Sequence, residues 1–257
     1  MMEQIEAEYF HGFQTSGHSR PARLTCRGAN GQLIEVFIKF AGSVYGHYSG
    51  LCSEALCSTV ARQLGFLTPD PYIVNLSQEF CDAAPNEAKD LIFRSLGLNF
   101  GTVAAGSGYG VMQTEPRLPE HLRKTAAEIY AFDILMQNFD RKMSNPNLLW
   151  NRKSIVLIDH ECALTPVLQW PSFSLANLEL DKFYDHVFYS EISPIDADFQ
   201  RLISALKTMT PDFLDALFEQ LPDVWRDEKA LSTLKQYLHF VVDNSQPLCD
   251  IIHERVS

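Results

Sequence analysis

A polar turn between a helical pattern and a β-rich run constrains this chain more than any other stretch. The helical pattern TAAEIYAFDILMQN leads into the turn NFDRKMSNPN, and a short LLW segment and an Asn-Arg-Lys turn precede the run SIVLI. Two short strands joined in this way form a hairpin, so the end of the second returns to the polar turn. The pattern therefore predicts that Asp140, Asn145 and Asp159 converge at one end of the hairpin.

These three side chains suit divalent-metal and phosphate chemistry. Carboxylate and amide oxygens are hard ligands of the kind that Mg²⁺ takes, and Mg²⁺ usually shares its coordination shell with substrate phosphates. Phosphoryl transfer needs one carboxylate that orients a hydroxyl, together with an Asn and a second Asp that hold metal. The alternative interpretation is an ordinary polar hairpin with acidic residues at its ends.

The spacing of these residues resembles that of the kinase catalytic loop. Asp140-x-x-x-x-Asn145 repeats the Asp-to-Asn step of H-R-D-x-x-x-x-N, although the His is missing. Asp159 follows 19 residues after Asp140, close to the separation between the catalytic-loop Asp and the metal-binding Asp of protein kinases. NFDRKMSNPNLLW followed by LIDHECAL is similar to the HipA-like kinases, in particular their short single-domain branch. Type II phosphatidylinositol 4-kinases carry a related loop.

The resemblance implies a two-lobed, protein-kinase-like α+β fold with a nucleotide cleft between the lobes. The β-rich N-lobe would comprise residues 1–115 and the helical C-lobe residues 116–257. The implied activity is ATP- and Mg²⁺-dependent transfer of a γ-phosphoryl group to a Ser or Thr hydroxyl of a protein substrate. The family contains toxins of toxin–antitoxin pairs, so a separately encoded antitoxin or regulator is a possible partner.

The same resemblance assigns a role to each polar residue of the loop. Asp140 would orient the acceptor hydroxyl, and Asn145 and Asp159 would hold Mg²⁺. Asn147 is the competing metal ligand if the proline between the two asparagines shifts the loop register. Arg141 would screen charge on the transferring group.

The N-terminal part of the chain supplies candidates for nucleotide binding. Lys39 lies near the end of the strand pattern QLIEVFIKF, where kinases carry the lysine that pairs with nucleotide phosphates. The next helical pattern, residues 51–64, carries Glu54 near its start, and we expect Glu54 to form an ion pair with Lys39. The alternatives are an edge-strand lysine that prevents aggregation and an acid favoured by the helix dipole.

Two further stretches provide weaker candidates for contacts to the nucleotide. Backbone N–H groups in the turn TSGHSRP could form an anion-binding nest. Because a similar turn precedes the strands in HipA-like kinases, Gly17 and Ser19 are candidate nucleotide-binding residues, and Ser19 is a candidate for autophosphorylation. The order of segments along the chain places VMQTEP at the passage between the lobes, with backbone groups near Gln113 facing the adenine.

Hydrophobic spacing predicts the remaining elements. A helical pattern starts near Leu118 and contains Asp133, which we expect to brace the catalytic loop by accepting backbone N–H bonds, with a solvent-facing Asp as the alternative. Ser49 is a possible N-cap of the helix at 51–64, and Gly65 follows that helix. The Gly- and Ala-rich stretch LNFGTVAAGSGYG is expected to be mobile. Strands are predicted at 22–26 and 32–40, and helices at 87–96, 181–192, 198–209, 211–220 and 228–242.

Composition excludes several classes of function. The net charge of −11 and the pI near 5.1 argue against a binder of nucleic-acid phosphates and against docking on an anionic membrane. No apolar run approaches the length of a membrane span, and the N-terminus lacks the pattern of a signal peptide, so we expect a cytoplasmic protein. The six cysteines contain no CxxC pair and are expected to be free thiols.

Two alternatives to a protein kinase stay open at this point. A catalytically silent nucleotide-binding or interaction module would explain the poor glycine-rich turn and the missing His. A small-molecule kinase would use the same metal chemistry, and the acidic composition would suit a cationic acceptor such as an aminoglycoside.

Overall fold

Five strands in the N-terminal part of the chain close into a β-barrel. The computed structural model describes residues 2–14, 19–44, 47–106, 108–113 and 117–256. The barrel strands are β1 (Glu3–Phe13), β2 (Ala22–Arg27), β3 (Leu33–Lys39), β4 (Pro71–Leu76) and β5 (Gly97–Val103). They follow the order β1-β2-β3-β5-β4 around the barrel, and β1 and β4 pair in parallel while the other neighbours are antiparallel.

Alternate side chains of the barrel strands face its interior. β2 buries Ala22, Leu24 and Cys26 and exposes the residues between them more fully, as a strand of period two does when one face lies on a core. The expected strands at 22–26 and 32–40 are confirmed, with ends that differ by one residue.

β5 occupies the first part of the stretch that we expected to be mobile, residues 98–103, and for those residues the expectation is wrong. The glycines in LNFGTVAAGSGYG are typical of loops, yet Gly97–Val103 pairs with β3 on one side and β4 on the other. A Cβ atom at Gly101 would lie 2.6 Å from Cγ2 of Val74, so the small residue is what allows the strands to pack. Because β5 covers β3, Lys39 does not lie on an edge strand, and the aggregation-guard interpretation is also wrong.

The first helix, α1, is buried on almost every side. It runs from Tyr48 to Gln63, and 11 of its 16 residues are buried, as expected of a helix inside a core rather than on a surface. It begins earlier than the predicted 51–64, so Ser49 lies inside the helix and the N-cap is His47. Gly65 follows the helix with φ of 82°, a conformation that glycine adopts readily.

A small sheet and two short helices surround the barrel. α2 (Gln78–Ala83) and α3 (Asn86–Phe93) pack against the barrel core, and α3 ends three residues before the predicted boundary at 96. Strands β6 (Gly110–Val111), β7 (Leu148–Trp150) and β8 (Ile155–Leu157) form an antiparallel sheet in that order. The hairpin predicted after the polar turn is therefore present as β7 and β8.

Helices dominate the second half of the chain. They are α4 (Arg123–Leu135), α5 (Gln200–Leu206), α6 (Pro211–Glu219), α7 (Glu228–Asp243) and α8 (Ser245–Arg255). The predicted helix at 181–192 is wrong, because only Leu180–Phe183 forms a short 3-10 helix there and turns follow. No helix among the described residues is both long and apolar enough to cross a membrane.

Two apolar clusters form the interior. The smaller cluster fills the barrel and includes side chains of α2 and α3. The larger cluster joins α1 and the barrel residues Ile73 and Phe100 to the helices of the second half. α1 therefore lies where the two parts of the molecule share a core.

Candidate active site

A buried ion pair fixes the start of the polar turn. Arg141 and Asp133 both have fully buried side chains, and the Arg141 Nε donates to Asp133 at 2.6 Å. Arg141 also donates to the backbone carbonyls of Asn147 and, at 3.2 Å, of Ile158, which ties the turn to the end of β8. Because its guanidinium is enclosed in this way, the expectation that Arg141 screens the transferring group is not supported by its position.

Asp133 accepts three side-chain hydrogen bonds. Besides Arg141, the donors are Asn138 at 2.9 Å and the Nε2 of His186 at 3.0 Å. The expected bracing role of Asp133 is thus confirmed, but its partners are side chains rather than the backbone N–H groups that we predicted. Burial opposes ionisation of Asp133, but the charge of Arg141 and the bond from His186 outweigh it and lower the pKa of the carboxyl.

Asp140 lies in the turn that this pair holds. Its Oδ2 accepts amide N–H bonds from Asn145 and Asn147, each at 3.0 Å. Burial raises the pKa of Asp140 and the nearby charge of Asp159 adds to the rise, although the bond from Asn147 opposes it. With its amide nitrogen on Asp140, Asn145 directs its carbonyl oxygen elsewhere, as a metal ligand would require.

Asp159 follows β8 in an unusual backbone conformation. Its φ is 62°, in the left-handed region that Asp and Asn tolerate better than most residues. The carboxylate accepts a hydrogen bond from the Nζ of Lys39 at 2.7 Å. The hairpin end thereby meets the end of β3, 120 residues away in sequence.

Lys39 contacts three carboxylates at once. Its Nζ lies 2.7 Å from Asp159, 2.9 Å from Glu161 and 3.2 Å from Glu54. Burial works against the charged ammonium, but the three carboxylates outweigh it and raise the pKa of Lys39. The predicted ion pair with Glu54 is therefore present, and Glu161 is an additional partner that the sequence did not lead us to predict.

Glu54 is held from two sides inside the molecule. Its side chain is 2% exposed, and the ring of His160 lies 3.7 Å from its second oxygen. Burial disfavours the carboxylate, but the charge of Lys39 and the contact with His160 lower the pKa of Glu54 to about 2. Next to Glu54 on α1, Ser53 donates to the carbonyl of Ala163 at 2.6 Å, which fastens the helix to the segment after Asp159.

Some of these residues line a cleft of about 440 Å³. Its polar lining includes Lys39, Glu54, Asn145, Asn147 and Asp159, and its apolar lining includes residues of β3, β5 and β7. A cavity of this size is within the range of small-ligand sites. The residues that the sequence predicts to bind metal and nucleotide phosphates therefore line the same cleft.

The remaining predicted residues lie outside this group. Gly17 falls outside the described residues. Ser19 is buried, and its backbone carbonyl accepts a hydrogen bond from Ser43 at 2.6 Å. Gln113 is exposed, whereas its neighbour Val111 lines the cleft. The roles of Ser19 and Gln113 in nucleotide binding stay predictions.

The donor set fits a hard divalent cation. Glu54, Asp159 and Glu161 each place a carboxylate oxygen within 4.8 Å of the others, and Asn145 lines the same cleft. Oxygen ligands of this kind suit Mg²⁺ or Mn²⁺ better than softer metals. The described part of the chain thus offers carboxylate and amide oxygens where a metal–nucleotide complex would need them.

A family model described as HipA-like kinase matches residues 13–246. The chain belongs to the HipA-like kinase family. The matched range includes every cleft residue described above, from Lys39 on β3 to Asp159 after β8. The cleft of this HipA-like kinase therefore lies within the part of the chain that matches the family model. A comparison with curated protein sequences finds no match.

Solved structures share the fold of this HipA-like kinase. The Helicobacter pylori proinflammatory kinase CtkA aligns with a TM-score of 0.54 at 15% identity, over 100% of this chain and 98% of that one. Hydra Fam20, solved with sugar, aligns at 0.51 and 13% identity over 96% and 85%. The Golgi casein kinase aligns at 0.50 and 11% identity over 100% and 75%. The predicted kinase-like α+β fold is confirmed, and family and neighbours together support a kinase function.

Proposed function

We propose that this HipA-like kinase uses ATP and Mg²⁺ to phosphorylate a Ser or Thr hydroxyl of a protein substrate. The observation that carries the proposal is the contact of Lys39 with both Glu54, at 3.2 Å, and Asp159, at 2.7 Å. Lys39 and Glu54 come from the consecutive elements β3 and α1, Asp159 lies 120 residues after Lys39, and Asn145 lines the same cleft. A lysine paired with a helix glutamate next to a metal-binding Asp is the arrangement that phosphoryl transfer uses.

Each residue has a task in this mechanism. Lys39 would bind nucleotide phosphates while Glu54 keeps its ammonium in place, and Asn145 and Asp159 would hold the metal. The bound metal would supply positive charge to the phosphate oxygens. Asp140, fixed by two asparagine amides, would orient the acceptor hydroxyl and accept its proton as the hydroxyl oxygen bonds to the γ-phosphorus and the bond to ADP breaks.

Autophosphorylation at Ser19 and a toxin-type role with a separately encoded antitoxin are finer parts of the proposal. Ser19 is buried, so its hydroxyl would reach a catalytic cleft only after the turn that carries it opens. Incubation with labelled ATP tests the first part directly, because Ser19→Ala should then remove the label that the protein places on itself.

Thermal denaturation with nucleotide tests the proposed metal site. At 100 times Kd, ADP with Mg²⁺ should stabilise the protein by about 2.7 kcal/mol, because it binds the folded state alone. Asp159→Asn should lose the Mg²⁺-dependent part of this shift, whereas Asp243→Asn, an exposed residue at the end of α7, should retain it. A wild-type protein that shows no shift with any nucleotide would contradict the proposal.

Phosphate transfer tests the chemistry separately from binding. Asp140→Asn should keep the nucleotide-dependent shift and lose transfer to substrate by roughly 10²–10⁴-fold, the usual worth of a positioned proton acceptor. If the wild-type protein binds nucleotide but transfers phosphate to none of the acceptors offered, the catalytically silent nucleotide-binding module would be favoured instead.

A small-molecule kinase is the second candidate. The net charge of −11 favours a cationic acceptor, since an acidic surface attracts one before it reaches the cleft. Label transferred to an aminoglycoside and not to protein in the same incubation would support this alternative.

A further inference from the structure

We infer that Glu161 competes with nucleotide phosphates for Lys39 and thereby weakens the affinity of the cleft for nucleotide. The inference rests on the proposed function, because it assumes that Lys39 is the phosphate-binding lysine. It concerns Glu161, which belongs to the carboxylate group beside Asp159 but has no assigned task in the proposed metal-binding and proton-transfer steps.

The contacts of Lys39 show an excess of negative charge. One ammonium lies within 3.2 Å of three carboxylates, those of Glu54, Asp159 and Glu161. Among the described residues, Lys39 is the cation that Asp159 and Glu161 both contact, and no Arg or second Lys forms an ion pair with either. A phosphate group that approaches Lys39 therefore meets like charges at short range, which repel it.

Two of the three carboxylates have other tasks. Glu54 comes from α1 and is almost fully buried, so it can hold the lysine whether or not nucleotide is present. Asp159 is the proposed metal ligand and would turn its charge toward the metal. Glu161 is left as an acceptor that satisfies the ammonium at 2.9 Å, in the manner of a phosphate oxygen.

Local backbone geometry explains why Glu161 reaches this position. Asp159 and Glu161 both contact Lys39, while His160 between them lies against Glu54 and the ring of Phe132. Glu161 is only 12% exposed, so water screens its charge poorly. A phosphate must displace this carboxylate from Lys39 or share the ammonium with it.

Equilibrium binding of ADP to Glu161→Gln tests the inference. The substitution keeps the size of the side chain and removes its charge, so we expect Kd to fall on the order of tenfold, both in EDTA and with saturating Mg²⁺. Glu54→Gln should weaken binding in both conditions, because the lysine would lose its buried partner. Glu254→Gln, which removes the same charge from an exposed position on α8, should leave Kd unchanged.

Other results would overturn the inference. The loss of a merely structural contact would not tighten binding, so a lower Kd is the result specific to competition. A Glu161→Gln variant that binds ADP as the wild type does, or more weakly, would therefore exclude competition. Weaker binding only in the Mg²⁺ arm would identify Glu161 as a metal ligand instead. A KM for ATP that fails to fall in the variant would contradict the inference in the same way.

The outcome separates this inference from the proposed function. If the wild type binds ADP and transfers phosphate but Glu161→Gln has the same Kd, the inference alone fails. If neither the wild type nor the variant binds ADP in either arm, both the proposed function and the inference fail.

Discussion

Asp133 shows how a buried charge can organise the polar turn that we propose as the catalytic loop. No part of its side chain is exposed, and three donors from three places in the chain converge on it: Asn138, Arg141 and His186. A buried ion pair adds little net stability when it is intact, but the loss of one partner leaves the other charge uncompensated. The conformation of the turn therefore depends on Asp133, which makes these contacts inside the protein.

Replacement of Asp133 by alanine should lower the free energy of unfolding by about 3–5 kcal/mol, because the guanidinium of Arg141 would stay buried without its carboxylate. Urea denaturation followed by circular dichroism measures the change. Asp185→Ala provides the control, since that exposed carboxylate pairs with Lys142 at 3.1 Å and its removal should cost at most about 1 kcal/mol. Equal effects of the two variants would contradict the prediction.

His186 should make stability depend on pH below neutrality. Burial lowers its pKa in the folded protein below the ordinary value of 6.5, although Asp133 opposes the shift. The unfolded chain therefore takes up this proton first as pH falls, and the free energy of unfolding should decrease from about pH 7 toward pH 5. Denaturation at several pH values should show a shallower decrease in the free energy of unfolding for His186→Gln than for the wild type. Identical slopes for the two proteins would contradict the prediction.

Short local patterns and the family resemblance were enough to predict that Lys39 pairs with Glu54 and that Asn145 and Asp159 meet at one cleft. The roles of these residues and of Asp140 stay predictions. Glu161 and His186 carry no such pattern. Glu161 follows β8 in an irregular segment, and its partner Lys39 lies 122 residues earlier in the sequence. β8 ends at Leu157, and both Asp159 and Glu161 then reach Lys39, a contact between distant segments that no local spacing reports.

At the scale of elements, local composition was misleading where packing decides the conformation. In β5, Gly101 serves close contact between strands rather than freedom of the backbone. In the segment 181–192 the buried residues Phe183, Val187 and Phe188 are spaced as in a helix. The backbone instead pairs with the catalytic loop, through Val187 N to Arg141 O and Met143 N to Asp185 O, each at 3.1 Å.

Gly101→Ala should destabilise the barrel by about 1–3 kcal/mol, since the new methyl group would overlap with the buried side chain of Val74. Thermal or urea unfolding provides the measurement. Gly106→Ala is the matched control, because a Cβ there would meet no atom within 4 Å. If both variants unfold at the wild-type midpoint, the packing explanation of this glycine is wrong.

At the scale of the whole molecule, the two halves share one core. α1 belongs to the N-terminal half by sequence, yet it packs in the large cluster with the C-terminal helices, and the Trp225 Nε1 donates to the carbonyl of Leu98 at 2.9 Å. The family resemblance predicted the two-part kinase fold. It did not predict closure of the barrel by the parallel pairing of β1 with β4, because that contact joins segments that are distant in sequence.

A fragment of residues 1–115 should therefore not fold as an independent, soluble lobe. Removal of the C-terminal helices would expose most of one side of α1, an apolar surface of the kind that drives aggregation. Size-exclusion chromatography and urea denaturation of the fragment are the measurements. A monomeric fragment with a cooperative transition would instead support the boundary near residue 115 as a boundary between two independent folding units.

The left-handed backbone of Asp159 decides which substitution gives an interpretable experiment at the proposed metal site. At φ of 62°, alanine would add a conformational penalty of roughly 1–2 kcal/mol to the loss of the ligand, whereas asparagine adopts this geometry with little strain. An alanine variant could therefore lose cation binding because the turn relaxed, and a binding assay could not tell that loss from a missing carboxylate. Asp159→Asn removes the negative charge and keeps the backbone conformation, so it measures the effect of the charge alone. Asp159→Gly also tolerates this conformation but has no side-chain oxygen, so it measures the loss of the ligand atom.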